Sequence, residues 1–118
     1  MKYLCLIYDE ESKLAAMSES EGKAFMGEYF SFTNDLIAAG KMIVGEELKP
    51  THTATTVRIR QGVLSTTDGP IAETKEQLGG FYLIDAVDLN EAIQIASRIP
   101  SARIGSIEVR PVNVQAPQ

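Results

Sequence analysis

Tryptophan is absent, and cysteine and histidine occur once each in the 118 residues. A single cysteine excludes an intrachain disulfide. Cys5 lies inside an apolar stretch and reads as a small core residue, not a nucleophile. Cys5 and His52 together cannot build a closed zinc site. No spacing of ligands speaks for a metal or a cofactor, and none is expected. Long hydrophobic runs are missing too; a membrane helix needs roughly 20 apolar residues. Met1-Lys2 leads into the apolar run Tyr3 to Tyr8, but Asp9-Glu10-Glu11 follows at once. That run is too short for a signal peptide and has no small-residue cleavage site, so a cytoplasmic location is expected. Basic residues are few. Eleven Lys and Arg against sixteen Asp and Glu leave a net charge of -5, which argues against binding nucleic acid or an anionic membrane.

What is present suits one compact domain. Hydrophobic residues make up 44% of the chain, ordinary for a globular protein. A single domain is expected over residues 1–112, with 113–118 as a loose tail. Residues 2–8 read as a central strand covered on both faces. Residues 9–17 read as a loop. Ser18 with Glu21 three positions on is a capping-box signature. In the helix that follows, Phe25, Tyr29, Phe32 and Leu36 share a face, which Met26, Phe30 and Ile37 are expected to widen. Gly40 ends it. Residues 42–44 read as a strand. Residues 54–60 alternate, turn at Gln61-Gly62 and return over 63–66 as a hairpin. Residues 81–86 form the next strand. Asp88 and Glu91 open a second helix, whose face is Leu89, Ala92, Ile93, Ala96 and Ile99 and whose end is Pro100. Ser101 to Gly105 reads as a loop, and a last strand runs through Ile107, Val109 and Val112.

Strand-helix-strand, a hairpin and again strand-helix-strand give an α+β fold. It is the ferredoxin-like split βαβ plan with an inserted β-hairpin and helices on one sheet face. The other face stays open, and a domain of this size rarely leaves a whole apolar face wet. A homodimer joined through that face, forming a dimeric α+β barrel, is therefore expected.

Special backbone residues and ionisable side chains crowd together only from Ser65 to Asp85. Asp68-Gly69-Pro70 is a turn signal. Glu73, Lys75 and Glu76 follow, and Gly79-Gly80 opens the run Phe81 to Ile84. With Asp68-Gly69-Pro70, Ala72 to Ile84, Met1-Lys2-Tyr3, Thr55 to Arg58 and Gly105 to Pro111, the chain resembles the YCII-related family, in particular its DGPF branch. Ile71 stands where that branch has phenylalanine, keeping an apolar plug without an aromatic face. The resemblance covers nearly the whole chain. It implies the dimeric α+β barrel and no defined activity. It also implies two lines of function: an enzyme with a His and an Asp near a cleft, or a partner of an extracytoplasmic-function sigma factor. Asp68 matches the motif aspartate. His52 sits in a Thr-rich loop with no motif around it and is expected to be exposed and idle.

Asp68 is a candidate general acid or base, and the one catalytic candidate. A turn before Gly-Pro demands the same residue without any chemistry, and that reading is favoured. Tyr8, Asp68, Gly69, Pro70, Glu73, Lys75 and Tyr82 are the candidate ligand-binding residues. For Glu73, Lys75 and Glu76 the alternative is a solvated ion-pair turn; for the tyrosines it is packing. No Ser-His or Cys-His constellation and no carboxylate pair at a recognisable separation marks an enzyme. A dimeric small-molecule-binding module with a regulatory role is the first expectation. An enzyme using Asp68 at the dimer cleft, and a sigma-factor partner, are the alternatives.

Overall fold

The computed structural model describes residues 1–114. Four strands form one antiparallel sheet: β1 (Lys2–Asp9), β2 (Met42–Glu47), β5 (Gln77–Asp85) and β6 (Ser106–Pro111), in spatial order β2-β5-β1-β6. This is the split βαβ order, with α2 (Glu19–Ala38) and α3 (Leu89–Ser97) as the crossover helices. Among the described residues β3 (Thr55–Arg60) and β4 (Val63–Asp68) pair only with each other, as a separate two-stranded hairpin. The ferredoxin-like α+β fold expected from the sequence is the one observed.

Alternation along β1 builds the core. Tyr3, Cys5 and Ile7 are buried, and on β5 Tyr82 and Ile84 lie opposite Cys5 and Tyr3. Phe32 and Leu36 of α2, and Ala92, Ile95, Ala96 and Ile99 of α3 and its exit, complete the layer. Phe32 meets Tyr82 edge-on with ring centroids 5.2 Å apart, a favoured aromatic arrangement. Burial pushes the Cys5 thiol up to about 11, which keeps it an inert core residue.

Signals at the helix ends hold. Ser18 accepts from the Glu21 amide while Glu21 accepts from the Ser18 amide, a full capping box. At the other end Gly40 has φ +69°, and the Lys41 and Gly40 amides return to the Leu36 and Ile37 carbonyls, a Schellman stop. Asp88 caps α3, but Glu91 does not close a box with it. Its carboxylate accepts instead from the Val87 amide and from Lys41, so it ties the helix to the end of the first crossover.

Several expectations are corrected. β1 is not covered on both faces: Leu4, Leu6 and Tyr8 are half-exposed, on the side away from the helices. Residues 9–17 are not a loop throughout, because α1 (Glu11–Ala15) forms a short helix there. Met26, Phe30 and Ile37 do not widen the core face of α2; all three are exposed, Phe30 at 65%. On α3, Leu89 and Ile93 are exposed and Ile95 is buried in their place. β5 begins at Gln77, so Gly79 and Gly80 lie within the strand, and β4 extends to Asp68. Residues 100–103 form a turn of 3-10 helix. Of the expected tail, residues 115–118 lie outside the described residues. Among the described residues no helix is long and apolar enough to cross a membrane.

The chain is a thin slab of 50 × 47 × 18 Å with a radius of gyration of 16.5 Å. A compact chain of this length has roughly 13.5 Å. Two causes are visible: a sheet covered on one side only, and a hairpin that joins no other strand. Val57, Ile59 and Leu64 share one hairpin face and are 60–65% exposed.

Candidate functional site

Hairpin register assembles the site. β3 and β4 pair Thr55 with Asp68. The residues before β3 therefore meet those after β4. The Gly69 amide donates to the Ala54 carbonyl at 2.7 Å, and Thr56 Oγ1 donates to the Gly69 carbonyl at 2.9 Å. Both backbone groups of the corner are thus satisfied by the hairpin itself. Gly69 has φ +109°, a conformation open to glycine and costly for other residues, and Pro70 fixes the exit.

His52 sits in a turn of 3-10 helix, Thr51–Thr53, held by the Thr53 amide and hydroxyl on the Pro50 carbonyl. The Thr51 amide donates to Glu11 of α1 at 3.1 Å, pinning this turn to the main body. The result is a cavity of about 360 Å³ lined by Thr51, His52, Asp68, Gly69, Pro70, Glu73 and Gln77.

Sequence-predicted candidates divide accordingly. Asp68, Gly69, Pro70 and Glu73 line the cavity, Asp68 and Glu73 as exposed side chains. Lys75 is exposed and outside the lining. Tyr8 lies on the open sheet face, paired with Leu78 and Ser106. Tyr82 points to the helix side, where it is buried and its hydroxyl shares a 2.7 Å hydrogen bond with Thr33. His52 is exposed, as the sequence suggests, yet it faces the same cavity as Asp68. Thr51 and Gln77 are not among the sequence candidates, although Gln77 lies in the Ala72–Ile84 run; it is held by its amide on the Ala72 and Thr74 carbonyls.

This chemistry is polar and mixed: one imidazole, two carboxylates, an amide and a hydroxyl. It can orient a small polar ligand by hydrogen bonds. Among the described residues no group of three or more His, Cys, Asp or Glu is placed to hold a metal ion.

The YCII-related domain model matches residues 1–114. The chain belongs to the YCII-related family. An uncharacterized protein of Rhizobium meliloti (strain 1021) is 40% identical over 119 residues, covering 99% of this chain and 96% of that protein. The family assignment agrees with the fold, and the relative's name carries no activity to this chain.

A second polar cluster had no local sequence signal. Asp9, the last residue of β1, is 8% exposed, and its Oδ1 has no hydrogen-bond partner among the described residues. Ser101 is fully buried beside it and shares a 2.5 Å hydrogen bond with the Tyr29 hydroxyl. Burial pushes the Asp9 carboxyl above the usual carboxylate range; Ser101 pulls it back and the charge of Glu76 raises it further. Burial also pushes Tyr29 up to about 12, against the hydrogen bond from Ser101.

The raised Asp9 value has a signed consequence. Between the ordinary carboxylate value and the raised one, the folded chain holds a proton that the unfolded chain has released. Stability therefore falls as pH rises through that window, and the buried charge is a fixed penalty above it. Asp9→Asn, an isosteric neutral side chain, removes this slope. Urea midpoints measured from pH 4 to pH 7 are expected to fall less for Asp9→Asn than for the native chain. Parallel curves would show that Asp9 titrates alike in both states.

Proposed function

We propose that this family member is a dimeric small-molecule-binding module of the DGPF type, with a regulatory role, whose ligand sits in the cavity at the Asp68-Gly69-Pro70 corner. The observation that carries this reading is the convergence of His52, Asp68, Glu73 and Gln77 on one cavity of about 360 Å³. That size falls within the range of small-molecule sites, about 300–1,000 Å³. The corner is tied to the hairpin by two hydrogen bonds and the lining is rich in hydrogen-bonding groups, which suits a polar ligand. The open face supports the dimer: Leu4, Leu6, Phe81, Leu83 and Val44 form a continuous apolar patch on the side away from the helices.

An enzyme is the second reading, favoured by one observation: His52 and Asp68 share the cavity. An imidazole and a carboxylate lining one cavity are groups that general acid-base chemistry uses.

The test is a panel of small polar metabolites screened by thermal shift against the native chain, Asp68→Asn and His52→Ala. The expected result is a compound that stabilises the native chain and loses at least tenfold in affinity in both variants, while the ligand-free melting points stay within about 2 °C. A ligand bound equally by all three proteins would overturn the assignment of this cavity. Conversion of that ligand, followed by NMR and lost in both variants, would select the enzyme.

A further inference from the structure

We infer that the end of β1 is a second binding site, separate from the hairpin cavity, that takes a primary ammonium group between the carboxylates of Asp9 and Glu76. Three observations point there. Asp9 is 8% exposed and its Oδ1 is unpartnered, although buried polar atoms are almost always satisfied. Among the described residues neither Asp9 nor Glu76 has an ion pair: every lysine or arginine seen in an ion pair is engaged elsewhere, Lys13 with Glu10, Arg103 with Glu28 and Arg110 with Glu108 among them. Two neighbouring carboxylates without a cation repel each other, and a buried one is costly until a charged donor reaches it.

The third observation is shape. Gly79 and Gly105 flank the carboxylate of Asp9. A methyl group at Gly79 would stand 3.4 Å from Oδ2, and one at Gly105 would stand 3.2 Å from Oδ1. Neither residue puts a side chain against the carboxylate; at Gly105 the Tyr8 backbone closes the place a methyl would take, and at Gly79 a methyl would meet only ordinary contacts. Ser106 donates to Glu76 at 2.7 Å and holds that acceptor in place. Ser101 shares a hydrogen bond with Tyr29 and also bears on the Asp9 carboxylate, lowering its pKa, while Oδ1 keeps no partner among the described residues.

Two carboxylates match the donors of an ammonium group, a compact charge with three N–H bonds. They do not match a metal, since no third acidic or imidazole ligand is grouped with them among the described residues. Binding draws the proton off Asp9, so affinity rises with pH. The titratable groups facing Asp9 are Glu76, from the segment before β5, and Tyr29, from α2; Tyr29 stays neutral throughout this range.

Methylammonium is the probe. It is titrated into protein carrying carboxyl-labelled aspartate and read by NMR, with tetramethylammonium as a cation of equal charge that has no N–H. The expected result is a saturable shift of the Asp9 carboxyl and the Gly79 and Gly105 amides with methylammonium only, and a lower Asp9 titration midpoint in its presence. Asp9→Asn abolishes the response. Should that variant fold poorly, Gly79→Ala keeps both carboxylates and narrows the approach, with at least tenfold weaker binding expected. Asp68→Asn leaves the response intact. An equal response to tetramethylammonium, a response retained in Gly79→Ala, or one lost in Asp68→Asn would overturn the site.

Discussion

Gly105→Ala is expected to cost the fold about 3 kcal/mol or more, enough to lower the urea midpoint sharply. A Cβ at this position would fall deep inside the contact radius of the Tyr8 carbonyl oxygen, and 3.2 Å from Asp9 Oδ1. The first contact decides the outcome. It is with backbone, which cannot rotate away as a side-chain tip can. Tyr8 belongs to β1, a central strand paired on both edges, and its partner on β6 is Ser106, the residue after Gly105. The Gly105 amide is also held by the Ser101 carbonyl at 2.7 Å. Relief requires β1 or the start of β6 to move, breaking that hydrogen bond or the Tyr8–Ser106 pair. Overpacking in a well-packed region costs about 1–3 kcal/mol and sometimes more. Gly27→Ala is the control. Gly27 lies inside α2, where an added methyl would meet nothing within 4 Å, so alanine there should stabilise by up to ~1 kcal/mol. A Gly105→Ala chain that unfolds at the native urea concentration would mean that β1 and β6 do not approach this closely.

How much of this is legible in the sequence depends on whether the deciding interaction is local. The capping box at Ser18–Glu21, the stop at Gly40 and the strand-helix rhythm are local, and the architecture follows from them. Helix faces are legible only at their centres. Phe25, Tyr29, Phe32 and Leu36 mark the axis of the stripe, but its width is set by how much sheet lies beneath. That sheet is four strands wide, and the flanking Met26, Phe30 and Ile37 fall beyond its cover. The choice of Ile95 over Ile93 on α3 is of the same kind, since either fits a helical period.

The His52 side of the cavity is legible only through the hairpin register. A two-residue turn at Gln61-Gly62 fixes that register outward, setting Thr55 opposite Asp68 and Ala54 beside Gly69. Counting two residues further back reaches His52. The loop around His52 has no motif because register, not local sequence, brings it to Asp68. Asp9 is hidden for another reason. An acidic residue after an apolar strand reads as the start of a loop, and its burial depends on Ser101, Gly79 and Gly105, which are distant in sequence.

Leu6→Lys is expected to halve the solution mass while leaving the fold intact. Leu6 lies in mid-β1 opposite Phe81, and both point away from the helices. A lysine there disturbs no core contact in the monomer, because the buried residues of β1 are Tyr3, Cys5 and Ile7 on the other face. In a dimer joined through the open faces, the same lysine enters an apolar interface without a partner. Leaving a charge buried and unpaired costs about 3–5 kcal/mol. Two-fold symmetry introduces it twice, and each 1.4 kcal/mol is tenfold in affinity, so association should weaken by roughly 10⁴-fold or more. Light scattering at micromolar concentration should give twice 12.9 kDa for the native chain and 12.9 kDa for the variant. Circular dichroism should be unchanged between them. Ile59→Lys, on the apolar face of the hairpin, separates two forms of the dimer. If the hairpin arms of both subunits also pack across the interface, that variant weakens association as well. If it leaves the mass unchanged, the sheets alone hold the subunits and the exposed stripe of Val57, Ile59 and Leu64 lies outside the contact. A native chain that runs as a monomer would remove the barrel, and with it the reason for an apolar sheet face on so thin a domain.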